Sequence, residues 1–302
     1  MDKRKTGIAL LITLMSIATI MSIMAVSFSY LDKARKSATV TSAVTQANIL
    51  YGSTKEILKR FFPKKADNNL KLKMIYSMPL MISEEQTGFA ITLTCQPLML
   101  GVPINWLDEE KTASVPAKSS LAKEVFTHIV DYYQIEDPNG LEEMILEAIT
   151  GKILQNSEKT ERLKKQKGII SKKQFKKILI NYTFRYDDIK VLTIPWEKYF
   201  SFVAVDSKLL IDGAYPSTEF VSAAFEIPLE MVQESWIMGE TTLASFLNEN
   251  SIVATLDKKV YAKKSLNAMS CEQNFLYGEK RYGFSFNYIE GRSSNFEFNG
   301  QE

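Results

Sequence analysis

Residues 8–30 read IALLITLMSIATIMSIMAVSFSY, and the chain runs on as LDKARKSATVTSAVTQANILYGSTKEILKRFF before its first proline, Pro63. The 23 residues 8–30 carry no charge. As a helix they rise roughly 35 Å, enough to cross a hydrocarbon layer about 30 Å thick. Beyond them Val44, Ala47, Leu50, Tyr51, Thr54, Leu58 and Phe61 recur at intervals of one, three and four, the stripe by which a helix lies on a globular body. The expectation is one rod ending at Phe62, apolar all round at first and two-faced later, stopped by Pro63.

Around that rod the composition excludes several classes. At 302 residues and 45% hydrophobic the chain can bury a real core. Lys+Arg at 37 against Asp+Glu at 35 gives +2, too small a bias for binding by net charge, so any electrostatic partner must be met locally. Cys95 and Cys271 are the only cysteines; they exclude a cysteine-rich zinc site and leave open either one long-range disulfide or two buried thiols.

The flanking charges do not settle orientation, because Lys3, Arg4 and Lys5 precede the apolar run while Lys33, Arg35 and Lys36 follow it. A cleaved secretory signal is the first alternative. The run is long for one, Ala25-Val26-Ser27 is an indifferent cleavage site, and helix-compatible sequence continues past it.

Further on, the chain reads as an α+β head. Residues 69–99 read as a hairpin around a turn at 84–88. Helical spacing follows over 121–133, Asn139 with Glu142 suggests a capping box for 140–150, and Ser171 with Gln174 another for a helix to about Ile180. Strand is expected again over 189–205, short helices from Pro216 and Pro228 as first-turn residues, and strands over 252–262 and 282–289.

Lys3-Arg4-Lys5-Thr6-Gly7 followed by Ile8-Ala9-Leu10-Leu11 resembles the class III leader of pilin-like proteins. The resemblance implies prepilin peptidase cleavage after Gly7 on the cytoplasmic side, Ile8 as the mature N-terminus, and a single-pass inner-membrane protein with a periplasmic head. Pilins commonly carry Glu at the fifth mature position; here it is Ile12, as in the K-type minor pseudopilin of type II secretion. Gly101-Val102-Pro103-Ile104-Asn105-Trp106-Leu107 and the 211–221 stretch, with Asp212 and Ser217, resemble two further K-type segments in part. The implied plan is a leader at 1–7, a transmembrane half-helix at 8–30, its periplasmic half at 31–62, first strands at 63–110, an inserted helical domain at 111–187 and the rest of the head at 188–302. The implied role is a structural subunit, at the tip of a pseudopilus that assists protein export. Its implied partners are the major and other minor pseudopilins, the peptidase and inner-membrane lipid.

Two rivals stand beside it: a pilin-like component of DNA uptake or a type IV pilus, and a signal-anchored periplasmic enzyme or binding protein. For an enzyme the sequence offers no constellation. His128 is the single histidine, and with Asp131 it reads as a helix-surface pair. Asp137, Asn139, Glu142 and Glu143 could offer oxygens to calcium but lack the spacing of a calcium loop and read as helix-start residues; no cofactor is expected. Residues 159–177 hold eight lysines and Arg162 against Glu161. They read as a solvated face, or, through Lys164, Lys165, Lys167, Lys172 and Lys173, as a contact for DNA or an acidic partner.

Overall fold

The structure, a computed structural model, describes residues 3–63, 68–84, 89–151, 168–204, 208–252, 256–277 and 280–301. Helix α1 (Lys3–Phe61) is unbroken and has no proline to interrupt its ladder. Phe62 closes a last turn on Leu58 before Pro63. A short helix α2 (Asn69–Ser77) leads into strands β1 (Leu80–Glu84) and β2 (Phe89–Pro97).

The expected hairpin thus holds for 80–97 but not for its first third. Leu70, Leu72, Met74 and Tyr76 alternate like a strand, yet the side chains that bury are Leu72 and Ile75, three apart, and the segment coils to place both inward. The 85–88 part of the turn lies outside the described residues.

Everything from β2 to strand β5 is one long excursion. It contains β3 (Val102–Pro103), α3 (Glu109–Thr112), α4 (Pro116–Tyr133), α5 (Pro138–Thr150), α6 (Lys172–Tyr186), α7 (Trp196–Tyr199), β4 (Phe200–Ser201), α8 (Thr218–Phe225), α9 (Leu229–Ser235) and α10 (Leu243–Glu249). These elements share one core running from Val102 to Tyr261 and including Trp106, Phe175, Tyr182, Trp196 and Phe220. Residues on both sides of 111–187 bury their side chains in this core.

Strands β5 (Ala268–Tyr277), β6 (Lys280–Ile289) and β7 (Arg292–Gln301) finish the head. The sheet runs β1-β2-β5-β6-β7, antiparallel throughout. Between β6 and β7 only Glu290 and Gly291 turn the chain, at φ 47° and 86°, the left-handed pair of a type I′ hairpin. Cys95 and Cys271 stand directly opposite on β2 and β5 and are joined as a disulfide.

Other local expectations shift. Helix α5 is capped by Asp137, whose carboxylate accepts from the Gly140 amide, rather than by the Asn139 and Glu142 pair. Ser171 caps α6 as expected while Gln174 Oε1 accepts from the Ile170 amide, and the helix runs on to Tyr186. Pro216 stands one residue before the α8 cap, Ser217, and Pro228 is itself the residue before α9.

Two expected strands are largely absent among the described residues. Over 189–205 the described chain makes a 3-10 turn at Ile189–Leu192, then α7 and only the two residues of β4. Asp188 caps that turn through the Lys190 amide, and Pro195 has no N–H to give a ladder. Among the described residues of 252–262, Asp257 caps a turn at Lys259 and only Tyr261 bridges, to Ile211.

Candidate membrane-anchor and assembly site

The first described side chains of α1, Leu14 to Leu31, lie wholly on the surface. The helix is long and apolar enough to cross a membrane, with a mean hydropathy of 1.8 over its most apolar window and none of that window buried. Thr19, Ser22 and Ser27 each donate to the carbonyl four residues back, at 2.7, 2.9 and 2.8 Å, so these three hydroxyls do not need water. The apolar stretch ends at Asp32, paired with Lys36 at 2.7 Å. The Lys36 hydrogen bond holds the Asp32 carboxyl below its usual range. Gly7, Ile8 and Ile12 fall within the helical backbone, and their side chains are not among those described.

The second half of the rod has a seat. Ala43, Ala47, Leu50, Thr54 and Leu58 are buried against β5, β6 and β7. Two alanines in succession let the helix axis come close to the sheet, and the larger side chains then fill the gap as the sheet twists away. Tyr51 stacks edge-on to Phe286 at 5.3 Å and donates to Ser293 Oγ at 2.8 Å. Thr54 donates to Gln273 Oε1 at 2.7 Å, a buried pair joining residues 219 apart. The stripe differs from expectation at both ends. Ala43 replaces Val44 in the deepest row, and Phe62, 1% exposed, takes the place given to Phe61. Phe61 faces outward beneath the Lys71 ammonium, 5.1 Å from its ring.

Residues singled out in the head act as joints. Asn105 is fully buried and satisfied: its amide donates to the Ile169 and Val203 carbonyls at 2.8 and 2.6 Å and accepts from the Ile169 amide at 2.8 Å. Gly101 must be glycine, since a Cβ there would lie 1.9 Å from the Tyr199 carbonyl oxygen. Asp212 accepts from the amides of Ala214, Tyr215 and Leu266, tying the excursion to the start of β5. Burial pushes its carboxyl up to about 7 against the pull of those three donors. Ser217 caps α8 and donates to the Lys198 carbonyl.

His128 stacks on Tyr132 at 6.1 Å on the surface of α4. Among the described residues no three His, Cys, Asp or Glu side chains come together as a metal site, and Asp137 spends an oxygen on the α5 cap. Lys164, Lys165 and Lys167 lie outside the described residues. Lys172 and Lys173 stand exposed at the start of α6, with Lys173 3.7 Å from Glu297.

Gln273 was not singled out from sequence, nor was Lys118, which is 2% exposed over the Trp106 ring and donates to the Leu209 carbonyl at 2.7 Å. The alternation Cys271, Gln273, Phe275 carried a strand signal for the first; nothing local marks the second.

No family model matches the sequence, and no curated protein does. Among solved structures the chain is similar to one from enterotoxigenic Escherichia coli, the crystal structure of the GspK-GspI-GspJ complex of the type 2 secretion system. The TM-score is 0.52 at 12% identity, covering 86% of this chain and 98% of that one. The likeness is one of fold: a long N-terminal apolar helix, an antiparallel sheet and further helices, the pilin-like plan of that neighbour.

Proposed function

We propose that this chain is a pseudopilin-like subunit: a membrane-anchored structural protein that works by packing against other subunits, not by catalysis. The observation that carries the reading is α1 itself, whose first half is bare and apolar while its second half is seated on a sheet. A helix apolar on every face is stable only where something other than water surrounds it. Lipid fits it before assembly, and the apolar helices of like subunits fit it afterwards.

Within that reading the leader is removed after Gly7, the N-terminus faces the cytoplasm and the head stands in the periplasm. The subunit is of K type, with minor and major pseudopilins as neighbours. Ile12, where a carboxylate is usual, removes the group that would pair with a neighbour's terminal amine and would otherwise be costly in lipid. The large excursion between β2 and β5 adds bulk that a filament shaft would accommodate poorly and an end would tolerate. Both features favour a place at the tip.

The test is the mature N-terminus. Protein isolated from membranes should begin at Ile8, and Gly7→Leu should leave the leader attached, because a bulky side chain keeps the scissile backbone from the peptidase. A mature protein beginning at Met1, or near Ser27, overturns the reading in favour of a signal anchor or a cleaved secretory signal.

A further inference from the structure

Helix α6 is built against its own stability. Its first two turns carry Lys172, Lys173, Lys176 and Lys177, and its 15 residues include no acid. Four cations stand at the positive pole of the helix dipole, and 172 with 176, like 173 with 177, repel at the spacing where helical side chains meet. A local rule broken this consistently marks a surface shaped for something else.

Two cavities flank these turns. On one side a cleft of about 220 Å³ opens between α6 and the sheet, lined by Lys172, Lys173 and Asn287. Asn287, 8% exposed, presents a polar side chain to this cleft beside them. On the other side lies a groove of about 440 Å³, floored by Phe175, Leu179, Leu192 and Trp196 and edged by Lys172 and Lys176. Among the described residues the acids lining the cleft, Glu197 and Glu297, balance only two of the four lysines, and Glu297 is already engaged with Lys173.

We infer that this is a docking site for an acidic segment of a partner protein. One carboxylate lies at the start of α6 within reach of Asn287 and Lys172, and a neighbouring apolar side chain enters the Leu179–Leu192 groove. Charge complementarity selects the acid and the apolar floor selects a peptide. Nucleic acid fits less well: Phe175 and Trp196 are buried edge-to-face on each other at 5.3 Å, and so offer no free ring face on which a base could stack. The inference stands on α6 and its cavities and does not depend on the membrane-anchored reading.

The experiment uses the full chain in detergent and a fluorescein-labelled peptide, Glu-Asp-Leu-Glu-Asp-Phe-Glu, followed by anisotropy. A peptide with lysine at every acid and a short single-stranded DNA are the competitors. Binding of the acidic peptide should weaken at least about tenfold in the double variant Lys172→Glu, Lys176→Glu. It should weaken severalfold in Leu192→Asp, survive Lys172→Arg with Lys176→Arg, and fall as salt is raised. Should charge reversal lower the melting temperature, the arginine pair and the salt titration decide instead, because both leave the fold intact. The proposal is overturned if the acidic peptide does not bind, if the lysine peptide binds equally, if DNA binds more tightly, or if affinity ignores salt and reversal alike.

Discussion

The two halves of α1 share one backbone geometry and almost nothing else. From Leu14 to Leu31 every side chain is exposed, whereas from Ala43 to Leu58 one row is buried to a few per cent. Helix hydrogen bonds are local and form equally well in both halves. What differs is how the side chains are distributed around the axis. An apolar residue on every side asks for an apolar surrounding, and an apolar stripe asks for one partner surface. A single element thus joins two media, and each half should answer to different perturbations.

The largest expected break in that comparison lies at two adjacent phenylalanines. Phe62→Ala empties a site 1% exposed between α1, α2 and the sheet, and should lower the unfolding free energy of the head by about 3–5 kcal/mol. Phe61→Ala, one residue earlier and outward-facing, should cost much less, about 1 kcal/mol, since it removes a cover for Lys71 and an edge contact to Phe62 but empties no buried site. Urea unfolding of the full chain in detergent, followed by head fluorescence, measures both. Equal losses would mean that the helix seat is not where the burial places it.

A charge in the bare half should do the opposite. Ile20, 53% exposed, touches nothing in the head, so Ile20→Arg should leave head unfolding unchanged. At mid-bilayer an arginine costs about 2.5–3.5 kcal/mol of insertion free energy, and the share of protein released from membranes by alkaline carbonate should rise. If head stability fell instead, the first half would be seated on protein and the contrast between the halves would be wrong.

Much of this was legible in the sequence because both signals on α1 are strong and repeat over many residues. The uncharged run at 8–30 has no competing explanation as a strand, and the second half repeats its stripe over four turns. The losses come where a pattern is short. Leu70 to Tyr76 alternates well enough to pass for a strand, and only Leu72 and Ile75 burying together shows the helix. In 268–277 and 292–301 the strand alternation is diluted by Glu272, Asn274, Asn295 and Glu297 at the positions turned away from the core, a composition close to that of loops. The turn at Glu290-Gly291 was the usable clue to the last hairpin. The joint at Asn105 depends on carbonyls 64 and 98 residues away, and that at Asp212 joins the local amides of Ala214 and Tyr215 to the Leu266 amide 54 residues on; no local pattern encodes the distant partners.

The finest test of the comparison uses one residue type in both halves. Thr54 and Thr19 each donate a hydroxyl hydrogen bond of 2.7 Å, but to different kinds of acceptor. Thr19 gives its proton to the Met15 carbonyl in its own helix, an acceptor that keeps its ladder amide when the hydroxyl is removed. Thr54 gives its proton to Gln273 Oε1, which is 219 residues away on a strand and whose side chain is 1% exposed. Thr54→Ala therefore strands a buried amide oxygen and should cost about 1–3 kcal/mol of head stability. Thr19→Ala removes a back-bond that helices do without and adds the best helix former, so the head should not register it. Because the two substitutions are chemically identical, helix propensity largely cancels between them, while the buried methyl of Thr54 adds its own loss to that of the hydrogen bond. The difference that remains measures whether the helix holds the sheet or merely passes it.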